Sequence, residues 1–172
     1  GSLQFKPCSL PSPFPQGDPL EAQCTTFAVP EDRSKPGGRS VALNIAWIPP
    51  RNTSDPAADP VFFLAGGPGQ AAVATFPGLA PAFKDIMKDR GIVLVDQRGT
   101  GKSNPLNCKS EGDEGSSSDP AAARTWIEGC IAELSAKADL RRYTSTDAVA
   151  DLDAVRQAIG DLLISFWRDA TI

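Results

Sequence analysis

Two short apolar runs, Val61–Leu64 and Ile92–Val95, each lead straight into a glycine-rich turn: AGGPGQ at 65–70 and DQRGTGKS at 96–103. The spacing between the turns is that of one strand–helix–strand unit. Continuously apolar runs of this length suit strands covered on both faces. They confine the chain to an α/β architecture with a mostly parallel sheet. Glycines just past a strand's carboxyl end let the backbone approach a ligand closely, with N–H groups aimed at an anion or a developing oxyanion.

The flanking sequence fills in the order of elements. Residues 1–24 are rich in proline and serine and read as an irregular arm; the core domain is expected over 25–172. A strand is expected from Thr25 to Val29 and another from Val41 to Ile48, where Val41, Leu43, Ile45 and Trp47 alternate with more polar positions. Gly37 and Gly38 supply the bend between them, making an antiparallel hairpin. Ala71 to Lys88 has a helical pattern that Pro77 and Pro81 divide into short pieces. After an acidic, Ser/Gly-rich loop at 109–120, expected to be mobile, Ala121 to Lys137 reads as an amphipathic helix. Thr146 to Ile159 reads as a second helix, with Val149, Leu152, Val155 and Ile159 on its apolar face and Ser145 or Thr146 as cap. Gly160 ends it, and LLISFW at 162–167 is a third buried strand. The order is a hairpin followed by parallel β-α-β-α-β.

Composition narrows the function. Among 172 residues the net charge is −4, and no basic stripe is present to neutralise phosphates, so nucleic acid is not an expected partner. No apolar run is long enough to span a bilayer. Gly1-Ser2 reads as a cloning scar, and no leader pattern follows it. Asn52-Thr53-Ser54 is a formal glycosylation sequon of little diagnostic weight. There is no histidine at all, and the four cysteines form no CxxC pair, so neither a metal site nor a cofactor is expected.

Four cysteines allow three disulfide pairings. Cys8–Cys24 and Cys108–Cys130 are favoured because each closes a short loop, worth about 3 kcal/mol apiece in the chain-entropy account. Two such bridges point to an oxidising compartment: secreted, extracellular or periplasmic.

GTGKS suggests a phosphate loop, but the first glycine of a G-x-x-x-x-G-K-[ST] motif would fall on Asp96. The Gly-Gly-Pro-Gly turn is more specific, since Pro68 fixes one φ while its neighbours are free to take positive values.

LAGGPGQ, DQRGTGKSNPLNC and YTSTDAVADLDAVRQAIG, in this order and spacing, resemble α/β-hydrolases of the proline iminopeptidase and tripeptidyl aminopeptidase type, over roughly residues 20 to 160. The resemblance implies the N-terminal half of an α/β-hydrolase sheet, incomplete, and a peptide substrate trimmed from its free N-terminus. It implies that Gly66, Gly67, Gly69 and Gln70 form part of an oxyanion hole. Ala65 stands where many members carry a histidine that is not the catalytic base. Asp96, Gln97, Arg98, Gly99, Gly101 and Ser103 would shape a structural turn at the floor of the site. The secreted branch is also similar in its cysteines, one pair near the N-terminus and one after DQRG.

The departure lies in the catalytic triad. Such enzymes need a serine on a G-x-S-x-G elbow, followed by an acid and a histidine. No such elbow is present; its expected slot reads RDATI at 168–172, with Ala170 at the nucleophile position. The chain is therefore expected to be inactive by itself. Truncation or a frameshift at 161–172 would account for this, as would a natural short form. The alternatives are a non-catalytic binding or assembly module, self-associating through an exposed sheet edge, and one chain of a two-chain hydrolase.

Overall fold

A computed structural model describes residues 3–52, 59–67, 69–108 and 119–160 and the backbone of 165–168. Gly1-Ser2, Pro68, the acidic loop at 109–118, residues 161–164 and the Ala170 slot lie outside these.

Among the described residues six strands form one sheet: β1 (Lys6–Leu10), β2 (Leu20–Pro30), β3 (Ser40–Ile48), β4 (Val61–Leu64), β5 (Ile92–Val95) and β6 (Ser165–Arg168), in the order β1-β2-β3-β5-β4-β6. β1, β2 and β3 are antiparallel neighbours, with Val29 opposite Val41. β5 joins β3 antiparallel, and β4 runs parallel to both β5 and β6. The sheet is mixed, and its parallel half follows the two apolar runs.

Among the described residues four α-helices accompany it: α1 (Ala72–Leu79), α2 (Ile86–Asp89), α3 (Pro120–Lys137) and α4 (Ser145–Ile159). A cluster on one face joins Phe63, Ile92 and Leu94 of the central strands to Phe76 of α1, Phe83 and Met87. Phe63, Phe76 and Phe83 meet edge-on or tilted, with ring centroids 5.2 to 5.9 Å apart. On the opposite face Leu43, Ile45, Phe62, Val93 and Val95 pack under Leu152 and Val155 of α4. This two-sided cover explains why β4 and β5 read as unbroken apolar runs, while the β3 residues alternate.

Several expectations are corrected. The irregular arm over 1–24 contains β1 and the start of β2, so the hairpin is a three-stranded meander. Its prolines do not prevent this: Pro7 lies in β1, at the end of the sheet order, where a missing N–H costs no central ladder bond. Pro77 does not divide the first helix but lies inside α1; the break comes at Pro81, in a short 3-10 turn, Ala80–Phe83. The cap of α4 is Thr144, whose hydroxyl accepts the Asp147 N–H at 3.2 Å. Of the third expected strand, Ser165 to Trp167 fall in β6, and Leu162 to Ile164 lie outside the described residues.

The apolar faces of α3 and α4 also differ from expectation. Val149 is 64% exposed, and the buried positions of α4 are Ala148, Asp151, Leu152 and Val155. Val149 and Asp151 sit about 200° apart around a helix, so burying one exposes the other. In α3 only Leu134 is buried, whereas Ile127 and Ile131 lie half exposed, one turn apart.

Candidate functional site

The turns after β4 and β5 stand outside the carboxyl ends of adjacent parallel strands, and the chain leaves them toward opposite faces. α1 covers one face and α4 the other. Ligands of open α/β sheets collect at such a reversal.

In the first turn Gly67 has φ +81° and Gly69 has φ +86°, backbone states that a side chain would strain. Both are exposed, and neither N–H meets an acceptor among the described residues. The Gln70 N–H is engaged inside the turn, donating to the Gly67 carbonyl over a long 3.4 Å. Of the three, Gln70 uses its N–H inside the turn, and Gly67 and Gly69 are exposed at its surface.

Asp96 ties this turn to the second one. It is 2% exposed and accepts three hydrogen bonds: from the Val73 N–H at 3.0 Å, the Lys102 N–H at 3.1 Å and Asn44 Nδ2 at 2.8 Å. The Val73 bond satisfies a free donor in the first turn of α1, where Ala71 has no side chain to cap it. A buried carboxylate with donors on both oxygens is a satisfied group, and here it locks the start of α1 to the end of β5. Gly101, at φ +51°, is required at this junction: a Cβ there would collide with the Asp96 carboxylate and with Ala71. Ser103 is fully buried, and its hydroxyl accepts the Asn44 N–H at 2.8 Å. Gly99 and Ser103 close the loop by backbone, the Gly99 N–H donating to the Ser103 carbonyl at 2.8 Å. Gln97 offers its carbonyl to both the N–H and the hydroxyl of Thr100.

Arg98 points to the other face. Its Nε and Nη2 donate to Asp151 of α4 at 2.6 and 2.7 Å, and Nη1 donates to the carbonyls of Glu31 and Arg142 at 3.0 and 2.6 Å. Burial works against the guanidinium charge, but the hydrogen bonds to Asp151 and the nearby Asp147 hold it above its ordinary value. Arg33 shares Asp151 at 2.8 Å.

Beside Arg98, buried Glu31 accepts from the Tyr143 hydroxyl at 3.1 Å and the Asp139 N–H at 3.0 Å, and its other oxygen is ion-paired with Arg39 Nε at 3.2 Å. Asn104 Nδ2 donates to the Tyr143 oxygen at 2.6 Å. Burial is the largest influence on Tyr143 and raises its hydroxyl above the ordinary tyrosine value; Asn104 acts against this and Glu31 with it.

Asn44, Glu31, Tyr143 and Asp151 were not singled out from sequence. Asp151 carried one legible signal, an acid four residues from Asp147 on a helix otherwise apolar at that face. The two disulfides are Cys8–Cys24 and Cys108–Cys130, with Cα atoms 5.8 and 5.5 Å apart, the favoured pairing of the three. The first staples β1 to β2; the second ties α3 to the segment after the second turn.

Known proteins similar to this chain share one theme. A tripeptidyl aminopeptidase of Streptomyces lividans is 28% identical over 165 residues, covering 86% of this chain and 30% of that protein. Serine protease Hip1 of Mycobacterium tuberculosis is 26% identical over 178 residues, covering 92% and 33%. Hydrolase YuaR of Escherichia coli is 29% identical over 104 residues, covering 59% and 21%. The relatives support a hydrolase or peptidase family. No family model matches the chain. The chain spans about a third or less of the length of these relatives. Among the described residues no helix is long and apolar enough to cross a membrane.

Proposed function

We propose that these residues are the N-terminal part of a secreted serine-peptidase-type hydrolase that removes residues or short peptides from free N-termini. Gly67, with Gly66 and Gly69 around it, would donate backbone N–H groups to the oxyanion that forms when the substrate carbonyl is attacked. Such a donor needs to be fixed before the reaction begins, because orienting it costs rate. The observation that carries this reading is the exposed, positive-φ pair Gly67 and Gly69 just past the end of β4, in a turn whose following helix is anchored on Asp96. The low-identity similarity to a tripeptidyl aminopeptidase supports the reaction class.

The chain contains no histidine, so the usual general base of a serine hydrolase is not available from it. Ser103 is no substitute nucleophile, since it is fully buried and its oxygen accepts a backbone N–H. Nucleophile, acid and base would come from residues outside this sequence, and the chain alone would be inactive.

Incubating the chain with an aminoacyl anilide and a tripeptidyl anilide tests this. No turnover is expected. Saturable turnover that persists through a second purification would overturn the inactive-scaffold reading.

A further inference from the structure

At the other end of the sheet lies a concavity of about 260 Å³, between the β1–β2 connection, the residue run after β3 and the pieces of helix from Pro77 to Met87. Its location follows from the strand register. Ile48, the last residue of β3, pairs with Ile92, the first of β5, and Arg51 then donates its N–H to the Met87 carbonyl at 3.0 Å. The cleft therefore opens at the amino end of β5, whereas both glycine turns leave from carboxyl ends.

Leu20, Pro77 and Met87 give the cleft an apolar wall, and Met87 is nearly fully buried. Arg51 and Lys84 stand on its rim with one carboxylate, Asp18. None of these three charges is part of an ion pair among the described residues. The rim is thus net positive on a chain whose overall charge is −4. Rigid prolines beside the opening also reduce the conformational freedom lost when a ligand settles there. The volume falls just below the usual range for small-molecule sites, about 300–1,000 Å³, which suits a compact ligand.

We propose that this cleft binds a small organic carboxylate with an apolar body, the carboxylate lying between Arg51 and Lys84 and the body against Leu20, Pro77 and Met87. The site is separate from the glycine turns and does not depend on the hydrolase reading.

Met87 is the one methionine in the chain, so labelling its methyl carbon with ¹³C gives a single resonance that reports on the cleft wall. Titration with 3-phenylpropionate is expected to shift that resonance saturably. The neutral 3-phenylpropanamide is expected to bind roughly 3–10-fold more weakly, as loss of two partly solvated charge contacts implies. Arg51→Gln and Lys84→Gln each weaken the carboxylate about 2–5-fold and leave the amide unchanged. Both side chains lie at the surface, so the core survives either change. The proposal is overturned if 3-phenylpropionate gives no saturable shift. It is equally overturned if acid and amide bind alike, or if a variant carrying both Arg51→Gln and Lys84→Gln binds the acid as the parent does.

Discussion

Asp96 shows how one side chain can place a backbone donor it does not touch. Its carboxylate takes the Val73 N–H at the start of α1, and that helix begins directly behind the Gly66–Gln70 turn. Replacing Asp96 by Ala strands Val73 N–H, Lys102 N–H and Asn44 Nδ2 in a buried junction. Each orphaned donor costs about 1–3 kcal/mol, with incomplete additivity. A loss of at least about 2 kcal/mol in urea unfolding is expected, and a loss below about 0.5 kcal/mol would refute the anchoring role. Tyr143 offers a second test, because it is the only tyrosine in the chain. Its hydroxyl is raised above 10.0, chiefly by burial. A group whose folded value is raised stabilises the fold below its unfolded value and loses that contribution as pH climbs through the folded one. Ultraviolet titration should place the midpoint above 10, with stability falling over the same alkaline range. A midpoint at or below 10 contradicts the burial of the Tyr143 hydroxyl. Neither role was legible from sequence, since Asp96 draws on partners up to 52 positions away and Tyr143 on partners 39 and 112 positions away.

At the scale of elements, α4 shows a polar pair setting the phase of a helix. The periodic reading places Val149 inside, yet Arg98 needs a buried bidentate partner and Asp151 takes the inward position. Removing one member of a buried ion pair leaves the other charge uncompensated, so Asp151→Ala is expected to cost about 3–5 kcal/mol. Thermal or urea unfolding measures this directly, and a nearly neutral effect would mean that the pair does not hold α4 on the sheet. The helix start follows the same logic on a smaller scale. Thr144→Ala should cost about 1 kcal/mol through loss of the cap, while Thr146→Ala should cost little; the reverse order would restore the cap expected from sequence. α3 is held differently, with only Leu134 buried and a disulfide from Cys130 to Cys108. Its existence was legible from helical periodicity, but its packing was not. An apolar stripe at Ile127 and Ile131 shows that a face is suited to burial without showing what lies against it.

For the whole molecule, the parallel centre was the legible part. Val61–Leu64 and Ile92–Val95 announce strands covered on both sides, and the glycines after them announce turns that other residues would strain. The N-terminal meander was half legible. β3 alternates cleanly, whereas the prolines and cysteines of residues 1–24 conceal β1 and the first residues of β2. The candidate oxyanion turn could be located from its glycines, but the buried network that supports it could not. Hydrogen bonds between distant segments leave no period in a sequence.

We propose that this scaffold belongs to a polypeptide with an activated serine that is not among these 172 residues. Labelling the native source material with a fluorophosphonate, then capturing with an antibody against residues 25–52, tests it most directly. A labelled polypeptide that carries this sequence and runs well above the 18.1 kDa of the chain itself is expected. A captured polypeptide that remains unlabelled, or a labelled one of 18.1 kDa, would contradict it.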